Sequence, residues 1–116
     1  MRKSPLPSIT KGRDFGAAFR HGKYASSLYF SIHAHPNGLD HTRLGIQTSR
    51  RVGGAVVRNR LRRVIKESCR YMADELTGPY DIVIVVRPSA GQSYVELGFF
   101  GTSKELRVLF KRLGLI

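Results

Sequence analysis

The chain has 116 residues, enough for one domain and too few for two ordinary ones, so residues 1–116 are expected to share one core. A hydrophobic fraction of 41% and a charged fraction of 24% are those of a globular protein rather than of a disordered basic tail. Its 20 Lys and Arg outweigh 8 Asp and Glu by a formal net charge of +12, which excludes indifference to polyanions: basic side chains that replace counterions on nucleic acid release them.

In chain order, residues 1–9 contain Pro5 and Pro7 and show no periodicity, so they read as an extended arm that packs only where something receives it. They also lack the apolar stretch of a signal peptide, and an intracellular, cytoplasmic protein is expected. Thr10 reads as the N-cap of a helix over residues 11–21, on which Phe15, Ala18 and Phe19 share one face, with Gly22 as its stop. Alternation follows from Tyr24 to Ala34: Phe30, Ile32 and Ala34 point one way, Tyr29, Ser31, His33 and His35 the other. Pro36, Asn37 and Gly38 supply a turn, and a strand over residues 42–48 with Leu44 and Ile46 inward completes an expected antiparallel hairpin.

Residues 55–72, AVVRNRLRRVIKESCRYM, are amphipathic at helical period. Val57, Leu61, Val64, Ile65, Ser68 and Met72 gather on one side, Arg58, Asn59, Arg62, Arg63, Lys66 and Arg70 on the other, with Arg60 at the border. Cys69 is the only cysteine, so no intramolecular disulfide forms, and it reads as a small buried residue rather than a nucleophile. After a loop ending at Gly78-Pro79, residues 81–86, DIVIVV, are apolar at consecutive positions and suit a strand covered on both faces. They are also the longest apolar run, far below the roughly 20 residues that span a bilayer. A short helix near residues 94–99 and a last helix capped by Ser103, carrying Leu106, Leu109, Phe110 and Leu113 and closed by Gly114, end the chain. The result is an α+β fold, a two-layer α/β sandwich of a helix, two or three antiparallel strands, a helix, a strand and a helix, α-β-β-β-α-β-α in its three-strand form, with the long basic helix crossing over to a strand parallel or nearly parallel to the one before it.

Between residues 50 and 70 stand Arg50, Arg51, Arg58, Arg60, Arg62, Arg63, Lys66 and Arg70, opposed only by Glu67. A solvated helix face normally alternates signs to gain i,i+4 pairs, and this one does not. Seven of the eight are arginine, whose planar guanidinium grips phosphate bidentately and stacks on bases. His33 and His35 share a strand face, but no carboxylate or cysteine joins them nearby in sequence, so no metal site is expected. The aspartates are scattered, so no paired carboxylates suggest two-metal hydrolysis and no catalytic residue is assigned.

The RNR at Arg58 to Arg60, within AVVRNRLRRVIKES, closely resembles the signature of the bacterial ribonuclease P protein family. KGRDFGAAFRHG at residues 11–22, RLGIQTSRRVGGAVVRNR at 43–60 and DIVIVVRP at 81–88 resemble further family segments in the same order and spacing. The resemblance implies a ribosomal protein S5 domain 2-like fold with an uncommon left-handed βαβ crossover, where general rules favour the right-handed one. It implies a protein subunit of ribonuclease P that binds the catalytic RNA and the 5′ leader of precursor tRNA. By the same resemblance the RNA subunit is expected to perform the Mg²⁺-dependent cleavage, and no cofactor is expected on the protein alone.

By the same resemblance Phe15 and Phe19 match an aromatic pair lining the leader-binding cleft, although their spacing alone equally suits the core. His33 falls where some relatives have tyrosine; an imidazole can still stack on a base or donate to a phosphate. Arg58, Asn59, Arg60, Arg62, Arg63 and Lys66 match the helix that contacts the catalytic RNA, and Arg50 and Arg51 the basic pair that contacts phosphates. The rival readings are a structural, ribosomal-type RNA-binding protein, a protein-only ribonuclease using His33 and His35, and a DNA-binding protein.

Overall fold

The computed structural model of the protein describes residues 5–116, so residues 1–4 of the expected arm lie outside the described residues. In chain order the elements are α1 (Gly12–His21), β1 (Lys23–Ser26), β2 (Phe30–Pro36), β3 (Arg43–Thr48), α2 (Ala55–Met72), a 3-10 turn (Ala73–Glu75), β4 (Tyr80–Val86), α3 (Pro88–Gln92) and α4 (Tyr94–Arg112). The stretch from Tyr24 to Ala34 is two strands rather than one. The Ser27 Oγ accepts the Tyr29 and Phe30 N–H groups at 3.3 Å and the Ser27 N–H donates to the Phe30 carbonyl at 2.8 Å, which turns the chain back on itself.

The strands form one sheet in the order β1-β2-β4-β3, antiparallel except for the parallel pair β3 and β4. β2 and β3 therefore do not form the expected hairpin. β4 lies between them, with Ile84 opposite both Ile32 and Ile46. The reason is compositional: apart from Asp81, β4 from Ile82 onward is apolar on both faces, and such a strand belongs where both edges are paired.

Alternation sends Phe30, Ile32, Leu44, Ile82, Ile84 and Val86 to one face, where they pack with Leu61, Ile65, Cys69 and Met72 of α2 and Leu106, Leu109 and Phe110 of α4. The other face carries Val83 and Val85 against Ile9 and the α1 residues Phe15 and Ala18. The Arg87 N–H donates to the Tyr29 carbonyl at 2.9 Å, so odd-numbered residues of β4 turn their amides toward β2 and their side chains toward α1. For L-residues this puts β4 to the left of β3 when the sheet is viewed from α2 with both strands pointing up. The β3-α2-β4 crossover is left-handed, the uncommon hand.

Several local expectations change. α1 starts after Lys11 without a side-chain cap, so Thr10 does not serve as one. Ser103 lies inside α4, its hydroxyl 2.8 Å from that of Ser68, and ties α4 to α2 instead of capping a helix. The segment before it is helical from Pro88, with a break at Gly98, whose φ of 51° interrupts α4. Gly114 does close the last helix: its φ is 74°, and the Leu115 N–H donates to the Phe110 carbonyl at 2.9 Å. The arm is received by β3. Leu44 donates its N–H to the Pro7 carbonyl at 2.8 Å and accepts from the Ile9 N–H at 3.0 Å.

One buried ion pair fastens α1 and the β2–β3 loop to the sheet. Asp81, 4% exposed, accepts from Arg43 Nε at 2.9 Å and Nη2 at 2.6 Å and from Asn37 Nδ2 at 2.9 Å, and Arg43 also lies 3.5 Å from Asp14 of α1. Burial alone would raise the Asp81 pKa, but the Arg43 and Asn37 hydrogen bonds outweigh it and hold the carboxyl below its ordinary value. The folded pKa is thus below the unfolded one, so this group stabilises the fold above about pH 4 and loses that contribution as acid protonates it. Asp81→Asn should flatten the acid limb of the stability profile in urea titrations between about pH 5 and 2. Asp81→Ala, which strands Arg43, should cost about 3 kcal/mol at pH 7, and an unchanged profile in both variants would contradict this role.

Candidate nucleic-acid interface

α1 lies across the sheet rather than along it, and the register shows what it covers. Tyr24, His33, Val83 and Gly45 form one cross-sheet row. Over that row the Phe19 ring meets His33 edge-on at 4.7 Å, and Phe15 stands so close to Gly45 that a Cβ there would come within 2.5 Å of its ring. Gly45 is what lets an aromatic ring approach β3 this closely. The next row is Ser31, Val85 and Gln47: Ser31 is buried, Val85 is partly covered by the α1 cluster and Gln47 is exposed, and this row borders a shallow cleft beside Phe19.

The sequence-predicted cleft residues are brought together here. Phe15 is half-buried and does join the second core cluster, whereas Phe19 remains 39% exposed and lines the cleft. His33 is flanked on its far side by Tyr24, 57% exposed, with ring centroids 4.9 Å apart. Burial lowers the His33 pKa, which keeps the imidazole neutral at pH 7. Its Nδ1 is buried without a hydrogen-bond partner among the described residues. Tyr24 was missed by sequence reasoning. Its signal was its position opposite His33 across the β1–β2 turn, legible only once that turn is recognised. His35 does not join His33; its ring sits 6.1 Å from His21.

The second part of the interface is α2. Its apolar stripe is buried, so Asn59, Arg60, Arg63 and Lys66 are exposed and Arg58 and Arg62 half-exposed. Arg62 donates to the Asn59 Oδ1 at 3.2 Å, and none of the α2 cations from Arg58 to Lys66 pairs with a carboxylate among the described residues. Arg70 departs from expectation: it is 8% exposed, not on the outer face, and ion-pairs with Glu67. Gly54 caps α2 without a side-chain bond, and no acid stands in the first turn, so the positive end of the helix dipole and the arginines add to each other. A helix N-terminus so furnished favours phosphate. Arg50 and Arg51 are exposed in the turn between β3 and α2, closed by the Val52 N–H donating to Ser49 at 3.0 Å.

The two parts meet at the outer edge of β3, where a cavity of about 200 Å³ has Phe15 on one side and Arg62 and Lys66 on the other. Cys69 has no place in this surface. It is buried, and burial pushes its thiol up to about 12, which suits a packing residue.

A family model for ribonuclease P matches residues 6–114. The chain belongs to the ribonuclease P protein family. It is 38% identical over 105 residues to the ribonuclease P protein component of Clostridioides difficile, covering 90% of this chain and 89% of that protein. It is 34% identical over 101 residues to that of Thermotoga maritima, covering 87% and 86%. The fold agrees as well. A solved ribonuclease P protein of Thermotoga maritima matches with a TM-score of 0.82 at 31% identity, covering 90% of this chain and 96% of that one. A Staphylococcus aureus ribonuclease P protein, a mutant described as defective in mRNA degradation, matches with a TM-score of 0.84 at 25% identity over 94% and 89%. The protein is therefore a protein subunit of ribonuclease P, and neither the ribosomal-type nor the protein-only ribonuclease reading fits these matches.

Proposed function

We propose that the cleft beside α1 holds the single-stranded 5′ leader of precursor tRNA while α2 docks on the catalytic RNA, which cuts the phosphodiester bond itself. The observation that carries this reading is the run of α2 cations facing outward without acid partners among the described residues, joined around the β3 edge to a cleft lined by Phe19, His33 and Tyr24. Phosphate contacts from Arg50, Arg51 and α2 supply sequence-independent affinity and screen the repulsion between the two RNAs. Aromatic rings in the cleft stack on any base, so leader recognition is sequence-tolerant.

The Mg²⁺ of the reaction is assigned to the RNA. The carboxylates nearest the cleft, Asp81 and Asp14, are committed to Arg43 and do not fit a cation. The protein's contribution is binding and electrostatic setting rather than bond chemistry. Adding the purified protein to a bacterial ribonuclease P RNA at low Mg²⁺ should accelerate precursor tRNA cleavage over the RNA alone, and no acceleration would overturn the assignment. In that complex Phe19→Ala should weaken binding of leader-bearing tRNA by roughly tenfold, the value of one stacked base, and leave mature tRNA unaffected. Equal loss for both would reduce Phe19 to a packing residue.

A further inference from the structure

β3 is an edge strand whose edge is only partly covered. Leu44 turns its N–H and carbonyl outward to Pro7 and Ile9. By the two-residue repeat of a strand Ile46 points its own N–H and carbonyl the same way. The arm has left the edge by then, and neither group of Ile46 has a partner among the described residues. Beside them opens the cavity of about 200 Å³, lined by Ile9, Phe15 and Ile46 on its apolar side, by Arg62 and Lys66 on its charged side, and by Ser8 of the arm.

An unpaired backbone donor and acceptor, one residue apart from covered edge, beside an aromatic ring and two cations, suit a planar heterocycle attached to phosphate. A peptide strand could also pair with a sheet edge, but it needs several free residues in a row, and Pro7 to Ile9 already occupy the edge at Leu44. The volume is below that of a drug-sized pocket and matches a single ring system. We propose that this edge pocket seats one unpaired nucleobase of the leader, its polar edge on the Ile46 N–H and carbonyl and its flanking phosphates on Arg62 and Lys66, the two α2 cations that line it, while Arg58, Arg60 and Arg63 are left to the catalytic RNA. The inference rests on the leader reading of the cleft. It commits to the leader because the pocket shares Phe15 with α1 and the exposed Gln47 adjoins Ile46, two strand spacings or about 10 Å from the strand of His33. Backbone groups alone read the base edge, so every base offering an adjacent donor and acceptor is accepted.

Cys69 is buried and its thiol unreactive, so Ser8→Cys introduces a single site for an aryl azide at the pocket mouth. In the reconstituted complex with precursor tRNA, illumination should cross-link this site to a leader nucleotide, excess unlabelled leader-bearing tRNA should compete, and mature tRNA supplied in place of the precursor should give no tRNA cross-link. On the unsubstituted protein, hydrogen exchange at the Ile46 amide should slow at least tenfold with leader-bearing tRNA and not with mature tRNA. Cross-linking confined to the RNA subunit, or an Ile46 amide that exchanges equally with both tRNAs, overturns the pocket. If Phe19→Ala still abolishes leader discrimination in that case, the cleft reading stands; if leader and mature tRNA bind alike throughout, both fall.

Discussion

The parallel pairing of β3 with β4 is the constraint on which the rest depends. Two parallel neighbours require a crossover, and the crossover is α2, so α2 must lie on the sheet face built from Ile32, Ile82 and Ile84 and bury Leu61, Ile65, Cys69 and Met72 there. Once that stripe is inward, helical geometry leaves the intervening arginines no direction but outward. α1 is left to cover the opposite face, where it lies over the row through His33, Val83 and Gly45 and leaves Phe19, Tyr24 and Gln47 exposed. The basic face and the open cleft are thus two consequences of one strand order.

Charge is distributed with the same economy. Several of the chain's few acids are committed to structural partners: Asp81 and Asp14 to Arg43, Glu67 to Arg70 and Glu75 to Arg107, the last with both guanidinium nitrogens bonded at 2.7 and 2.9 Å. These pairs fix α1 to the sheet, the end of α2, and α4 to the 3-10 turn. They neutralise cations away from the first three turns of α2, where Arg58 to Lys66 remain uncompensated among the described residues. Self-repulsion there is relieved when phosphates arrive, which couples docking to counterion release.

Much of this was legible in the sequence because strong periodicity survives tertiary context. The bounds of α2, the outward arginines, the two-faced burial of β4 and the opposite facing of Ile32 and His33 follow from spacing alone. Long-range choices were not legible. Nothing local says that β4 will insert between β2 and β3, since strands joined by a short loop usually pair. Caps failed where tertiary contacts won: Ser103 bonds to Ser68 rather than to its own helix end. Arg70 looked like part of the basic face because period analysis does not register its contacts with the neighbouring Glu67 and the Tyr71 ring. The cleft needed both α1 and the register, so Tyr24 emerged only from the fold, while Phe15 proved to belong to core and cleft margin together.

The central claim is that outward, unpaired cations on α2 bind the catalytic RNA through its phosphates. The most direct measurement is the salt dependence of affinity for the RNA subunit, for the unsubstituted protein and for a variant carrying Arg58→Gln, Arg60→Gln and Arg63→Gln. Each lost phosphate contact should flatten the slope of log affinity against log salt by about 0.7 to 0.9, so the triple variant should lose roughly 2 to 3 in slope along with affinity. A triple variant that keeps the full slope and affinity while folded would contradict the account.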